Sequence, residues 1–172
     1  MNTASAVGSS DESKAPRAIL WGGLIAGTLD LAAACVNNVL RGRSLIGVPQ
    51  SIASGLLGAD AFKGGFPTAA LGVVLHFFIA TVATAVYYAA SRKLKFLVDQ
   101  AVVSGLLYGV GVYLFMNFIV LPLSAVPFKI TYTPAVFATG VTIIMLCVGL
   151  PIALVIRRHR GATFKSRAET TP

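Results

Sequence analysis

Four long apolar segments dominate this chain and constrain its fold more than any other feature. They cover residues 18–40, 68–90, 101–123 and 134–156. Each is about 23 residues long, which at 1.5 Å per residue gives roughly 34 Å of helix, enough to cross a hydrocarbon core of about 30 Å. The sequence therefore predicts an all-α, polytopic membrane protein with four transmembrane helices.

The composition argues against a water-soluble domain. Hydrophobic residues make up 56% of the chain and charged residues only 12%, whereas a typical soluble domain has about 25% charged residues. So few charged side chains cannot cover the surface of a soluble globule of this size. We therefore expect the lipid bilayer to be the main partner of the chain.

The basic residues lie at the ends of the apolar segments, where they act as topology signals and contact anionic lipid. The net charge is +8, and no folded basic face remains for binding nucleic acid, so we exclude that partner. Ten lysines and arginines lie on the side of the membrane that holds both termini, and four lie on the opposite side. By the positive-inside rule, this asymmetry places both termini in the cytoplasm. The ten are Lys14, Arg17, Arg92, Lys93, Lys95, Arg157, Arg158, Arg160, Lys165 and Arg167, and the four are Arg41, Arg43, Lys63 and Lys129.

Outside the 18–156 transmembrane domain, the chain forms two tails. Residues 1–17 are small and polar, which predicts a disordered cytoplasmic tail, and residues 157–172 form a basic cytoplasmic tail. The outer loop 41–67 is the longest connection, and Pro49 suits the first turn of a short helix running to about Phe62. That helix could be interfacial or partly re-entrant, or the loop could be ordered and packed over the bundle. In the fourth segment, Pro151 predicts a kink near residues 147–151.

Small residues recur at helical spacing and predict the faces on which the helices pack. Because a small-residue face allows another helix to approach closely, the polar residues on such faces should point into the bundle. One face of the first segment carries Gly23, Gly27, Asp30, Ala34 and Asn37, and one face of the second carries Gly72, His76, Ala80, Ala83 and Tyr87. The glycines predicted for helix packing are Gly23, Gly27, Gly72, Gly105 and Gly109.

Asp30 and His76 are the only acidic, basic or imidazole side chains inside the four segments. Asp30 lies close to the middle of its segment, where a charge costs most. The polar residues that we select as candidates lie between the middle of the membrane and its outer side. The cytoplasmic half of the spans has few polar side chains beyond Ser104, Thr28 and Thr84. Two interpretations stay open, a polar pocket open to the periplasmic side and a structural network of interhelical hydrogen bonds. The candidate set is Asp30, His76, Tyr113, Asn117, Asn37 and Thr142.

The sequence contains no G-x-x-x-x-G-K-[ST], G-x-S-x-G or H-E-x-x-H motif, and we predict no catalytic residue, no metal and no cofactor. Asp30 and His76 alone make a poor metal ligand set. We expect a non-enzymatic, membrane-embedded binding or assembly protein, and the glycine-rich faces of the first and third segments favour a homo-oligomer or a larger membrane complex. The alternative is a small proton-linked transporter or channel, because an aspartate and a histidine within a membrane can exchange a proton.

Several longer stretches occur together across residues 18–156, and they form a specific combination. They are Leu20-Trp21-Gly22-Gly23 with Leu29-Asp30, Gln50-Ser51-Ile52-Ala53-Ser54-Gly55-Leu56-Leu57-Gly58, Leu75-His76-Phe77-Phe78-Ile79-Ala80, Met116-Asn117-Phe118-Ile119-Val120-Leu121-Pro122-Leu123-Ser124-Ala125 and Val148-Gly149-Leu150-Pro151. In these stretches the chain resembles a family of bacterial integral membrane proteins that is common in proteobacteria. The resemblance implies a four-span, multi-pass protein of the bacterial inner membrane, and it implies no activity. Members often have a histidine shortly before the Gly-Leu-Pro motif, where this chain has Ile143 and Ile144.

Overall fold

The computed structural model describes residues 4–128 and 133–169, with side chains over residues 15–128 and 133–160. Every regular element in these two stretches is helical. A 3-10 turn, Gly58–Phe62, follows the second helix. The helices are α1 (Ala4–Leu40), α2 (Gly47–Leu57), α3 (Gly65–Lys93), α4 (Phe96–Asp99), α5 (Ala101–Leu123) and α6, which begins at Pro134 and ends at Glu169.

Four of these helices contain a stretch long and apolar enough to cross a membrane, which confirms the predicted all-α, four-span fold. In chain order, spans one to four cover Ala15–Leu40, Gly65–Lys93, Ala101–Leu123 and Pro134–Arg160. Each contains one of the four predicted segments.

Both predicted tails contain helix. Helix α1 begins at Ala4, within the stretch predicted to be a disordered tail, and α6 continues to Glu169 through most of the predicted basic tail. A helix that has already formed gains one backbone hydrogen bond for each residue added, which favours such extension. Residues 1–3, 129–132 and 170–172 lie outside the described residues, and Lys129 of the charge count is among them.

Successive spans run in opposite directions, so the beginning of span one and the end of span four lie at the same end of the bundle. We call this the terminal end, and the opposite one the α2 end. A buried cluster at the terminal end draws on all four spans, with Ala18, Tyr87, Ala101 and Ile156 among its members. The core of the fold is therefore concentrated near the termini.

Helix α2 packs directly along span two. Gly72 of span two permits this contact, because a Cβ atom at that position would collide with the Pro49 carbonyl. Gly72 lies seven residues into α3, which places the contact about 10 Å below the first residue of that helix. Helix α2 thus enters the bundle as a partly re-entrant element would. It begins at Gly47, slightly before the predicted Pro49.

Polar contacts fix α2 to the ends of two spans. The Gln50 side chain is 6% exposed and donates a hydrogen bond of 3.1 Å to the Gly65 carbonyl at the start of span two. The backbone N–H of Ala125, just after span three, donates to the Gly55 carbonyl over 2.9 Å. These contacts hold α2 across the mouth of the bundle.

Spans three and four each contain a five-residue π-helical turn, Met116–Val120 and Met145–Gly149. In both spans a leucine follows the turn and a proline follows the leucine, namely Pro122 and Pro151. A proline ring inside a helix collides with the carbonyl four residues before it, and a widened turn moves that carbonyl aside. The irregularity predicted near residues 147–151 therefore takes the form of a π-helical turn. The π-helical turn in span three was not predicted, although Pro122 lies inside the third apolar segment as Pro151 lies inside the fourth.

The glycines of span one contact span two. A Cβ atom at Gly23 would lie 2.6 Å from Oγ1 of Thr81, and one at Gly27 would lie 2.8 Å from the Phe77 ring. Distances this short leave no room for a side chain. The predicted glycine face of span one is therefore occupied by span two.

The glycines of span three contact span four in the same way. A Cβ atom at Gly105 would lie 2.7 Å from the Ala153 side chain, and one at Gly109 would lie 2.6 Å from the Cα atom of Met145. The glycine-rich faces of spans one and three are therefore used within one chain. These four glycines are therefore not free to contact another chain, and the homo-oligomer or larger complex stays a prediction.

Candidate functional site

Asp30 of span one and His76 of span two face each other where these spans cross. Oδ2 of Asp30 lies 3.9 Å from Nε2 of His76, and the two side chains are 18% and 14% exposed. Gly27 lies one turn before Asp30, on the face that packs against span two. The small-residue face thus brings the two ionisable side chains together.

The His76 ring is held by the backbone of span one. Its Nε2 atom lies 2.9 Å from the Gly27 carbonyl oxygen, and since a carbonyl can only accept, Nε2 carries a hydrogen and donates it. The ring also meets the Phe77 ring nearly at a right angle, with centroids 5.7 Å apart. Because 3.9 Å is beyond hydrogen-bonding distance, Asp30 and His76 are close neighbours without a direct hydrogen bond between them.

Both side chains line a cavity of about 280 Å³, and all four spans and α2 contribute to its wall. Liquid water occupies about 30 Å³ per molecule, so the cavity has room for roughly nine groups of that size. Its polar side chains are those of Asp30, Ser51 and His76, and the rest of the wall is apolar or glycine. An apolar wall with a few polar groups is typical of small-molecule sites.

Helix α2 and the two π-helical turns complete the wall. From α2 come Val48, Ser51 and Ile52, and the Ser51 hydroxyl donates a hydrogen bond of 2.6 Å to the Val48 carbonyl. Met116 and Val148 belong to the π-helical turns of spans three and four. The cavity thus lies at the depth where these two spans depart from α-helical geometry.

The other four candidate residues lie outside this wall. Tyr113 packs against the Phe137 ring at a centroid distance of 5.3 Å, and Asn117 donates a hydrogen bond of 2.9 Å to the Tyr113 carbonyl. Asn37 is half-buried, and Thr142 is exposed. The structure therefore brings together Asp30 and His76 and does not join all six residues in one pocket.

A second polar group, which we call the tyrosine layer, consists of Tyr87, Ser104 and Tyr108 and lies toward the terminal end. The Tyr87 hydroxyl is 2.9 Å from both Oγ of Ser104 and the Leu97 carbonyl oxygen. The Tyr108 hydroxyl donates to the Ala83 carbonyl over 2.7 Å, and the two tyrosine rings meet edge to face at 5.0 Å. The layer links spans two and three through buried hydrogen bonds.

The tyrosine layer corrects the expectation that the half of the bundle near the termini offers little polar chemistry. Tyrosines near the ends of a span are usually assigned to the membrane interface, but Tyr87 is only 1% exposed. Its burial could have been predicted from its position on the same helical face as His76, which we expected to point into the bundle.

Arg160 is a further polar residue that the sequence did not single out. Its guanidinium donates a hydrogen bond to the backbone carbonyl of Ser91 and lies 3.4 Å from the Ser91 hydroxyl oxygen. The positive-inside rule counts this arginine only as a topology signal. In the structure it ties the end of span four to the end of span two.

The chemistry that this arrangement offers is the acceptance of hydrogen bonds and the exchange of a proton within an apolar cavity. Within residues 15–128 and 133–160, no three His, Cys, Asp or Glu side chains lie together as potential metal ligands. No family model matches the chain, and neither does any curated protein or solved structure.

Proposed function

We propose that the chain is a non-enzymatic, membrane-embedded binding protein for a small, largely apolar molecule that carries one polar group. The cavity of about 280 Å³, with three polar side chains in an apolar wall, carries this proposal. Small-molecule sites usually measure about 300–1,000 Å³ and have this kind of wall. The cavity lies just below the lower limit of that range and suits a ligand of about nine non-hydrogen atoms.

Binding is favoured over assembly because the small-residue faces are already occupied. Gly23 and Gly27 contact span two, and Gly105 and Gly109 contact span four. The residues that would drive association between copies are therefore used in folding a single copy.

The test of binding is thermal unfolding of the full chain in detergent with 1-octanol, which has nine non-hydrogen atoms. Two variants add the same bulk to span one. Ala34→Phe fills the cavity, which Ala34 lines, and Ala32→Phe adds a ring on an exposed face. We expect octanol to raise the unfolding temperature of the wild type and of Ala32→Phe relative to Ala34→Phe. The same response in all three proteins would overturn the proposal.

A proton-linked transporter or channel is the second candidate, and it is supported by the 3.9 Å approach of Asp30 to His76 inside the spans. Passage to the terminal end would require the tyrosine layer to open, including the Tyr108–Ala83 hydrogen bond. The test is proton uptake into liposomes that contain the purified protein and a pH-sensitive dye. Transport predicts uptake that Asp30→Asn abolishes, whereas binding alone predicts uptake equal to that of protein-free liposomes.

For the location of the chain, we propose the bacterial inner membrane, with both termini in the cytoplasm, and membership of the proteobacterial family that it resembles. The excess of lysine and arginine at the terminal end supports this orientation. Exposed Arg157 and Arg158 at that end are suited to contact anionic lipid. Alkaline phosphatase should be active when fused after Gly58 and inactive when fused at the C-terminus, and the reverse pattern would overturn the orientation.

A further inference from the structure

The polar side chains in the cavity wall have already used their hydrogen-bond donors. His76 donates through Nε2 to the Gly27 carbonyl over 2.9 Å, and Ser51 donates through its hydroxyl to the Val48 carbonyl over 2.6 Å. An ionised aspartate has no donor to give. The groups that the wall side chains leave for a ligand are then acceptors, namely the carboxylate oxygens of Asp30, the hydroxyl oxygen of Ser51 and the unprotonated Nδ1 of neutral His76.

Asp30 also lacks a donor of its own. Within the described residues, its carboxylate accepts no hydrogen bond, and Nε2 of its neighbour His76 lies 3.9 Å away. All 14 lysines and arginines of the chain lie outside the four apolar segments, and among the described residues none of them forms an ion pair with Asp30. A carboxylate keeps its charge in an apolar environment when it is paired and hydrogen-bonded, and otherwise it takes up a proton. The missing complement is a cation that carries N–H groups.

We propose that the cavity binds primary amines attached to a small apolar body. This inference rests on the proposed binding function and names its ligand class. An ammonium group offers three donors to the acceptors of Asp30 and Ser51. The apolar body lies against wall residues such as Leu31, Ile79, Val112 and Ile144. A carboxylate ligand is disfavoured, because its oxygens can only accept hydrogen bonds, as the Asp30 carboxylate does, and because its negative charge would be repelled by that of Asp30.

The experiment compares n-octylamine, 1-octanol and octanoate at pH 7 as ligands of the full chain in detergent. Each of the three probes has eight carbon atoms in an unbranched chain, and the head group is cationic, neutral or anionic. Apparent affinities come from the concentration dependence of the unfolding temperature. We expect octylamine to bind most tightly and octanoate most weakly.

The variant that isolates the carboxylate is Asp30→Asn, which keeps the shape of the side chain and removes its charge. We expect it to weaken octylamine binding about tenfold or more, the usual scale for losing a charge-assisted hydrogen bond, and to leave octanol binding within about twofold. Asp60→Asn is the matched control, since Asp60 is 79% exposed and forms an ion pair of 3.0 Å with Lys63 outside the cavity. It should leave the binding of all three probes unchanged.

The outcomes separate this inference from the proposed function. If octylamine and octanol bind the wild type equally, or if Asp30→Asn keeps the amine preference, the amine inference is wrong and the cavity is still a binding site. If none of the probes stabilises the wild type relative to Ala34→Phe, the binding function itself fails. Ser51→Ala is a second variant that leaves the carboxylate in place. It should weaken octylamine binding about threefold with little effect on octanol, and an unchanged affinity for octylamine would also overturn the inference.

Discussion

The Tyr108 hydroxyl donates a 2.7 Å hydrogen bond to the carbonyl of Ala83, a residue that also lines the cavity. The floor of the cavity and the tyrosine layer therefore share a residue of span two. Because half-buried Tyr108 also meets the buried Tyr87 ring edge to face, two hydrogen-bonded aromatic side chains lie next to the cavity on its terminal side.

The Tyr108 hydroxyl should contribute measurably to stability. We expect Tyr108→Phe, which removes only that hydroxyl, to lower the free energy of unfolding by about 1 kcal/mol. Tyr88→Phe is the matched control, because no hydrogen bond of the Tyr88 hydroxyl is present within the described residues, and its effect should stay within about 0.5 kcal/mol. Denaturant titration in detergent measures both changes. Equal losses in the two variants would contradict the role assigned to Tyr108.

The contact of Gly72 with Pro49 gives a second prediction. We expect Gly72→Ala to destabilise the protein and to displace α2, because the added methyl group would occupy the space of the Pro49 carbonyl. In Gly111→Ala the new Cβ meets nothing within 4 Å, so this substitution should be neutral or stabilise the helix by up to about 1 kcal/mol. Thermal unfolding gives the stabilities, and protease cleavage in residues 41–47 reports on α2. A Gly72→Ala protein as stable as Gly111→Ala would mean that α2 does not pack as described.

Asp30 and His76 should be energetically coupled. We expect Asp30→Asn to fold normally and Asp30→Ala to destabilise the bundle, with the loss partly recovered when His76→Ala is added. Residues in contact typically show coupling of about 0.5–3 kcal/mol in a double-mutant cycle. The cycle is measured by thermal unfolding in nanodiscs, and the same cycle between Asp60→Ala and His76→Ala provides an uncoupled reference. Additive effects of Asp30→Ala and His76→Ala would show that the two residues do not communicate.

Arg160 should differ in its contribution from the other arginines near the end of span four. Arg160→Ala removes the hydrogen bond to the Ser91 carbonyl, and we expect a loss of about 1–2 kcal/mol in the free energy of unfolding. Arg160→Lys keeps the charge without the guanidinium fork and should recover only part of that loss. Arg157→Ala at an exposed site should change stability by less than about 0.5 kcal/mol. If Arg157→Ala and Arg160→Ala change the free energy of unfolding by the same amount, Arg160 acts only as a topology signal.

The sequence was sufficient to predict the features that each helix determines by itself. Span lengths follow from apolar runs that match the thickness of a bilayer. The meeting of Asp30 with His76 follows from small residues at helical spacing around each of them, because such faces pack together.

The features that the sequence did not reveal depend on which helices pair and at what depth. The reach of Tyr108 to the Ala83 carbonyl requires spans two and three to be neighbours at one particular register. The insertion of α2 depends on one glycine, Gly72, which helical periodicity assigns equally well to packing between two spans. The six polar candidates did not form one pocket, because depth alone does not say which side of a helix faces which neighbour.

A π-helical turn contains one residue more than the α-helical path it replaces. In spans three and four the two halves of the helix are therefore out of step with each other by one position in the sequence, and a single helical wheel drawn through either span assigns wrong faces to one half. The extra residue also gives each span slack at the level of the cavity, between Met116 and Val120 and between Met145 and Gly149. Because two of the four spans that line the cavity contain an extra residue at this level, the cavity can become wider or narrower there while the helix packing at both ends of the bundle is kept.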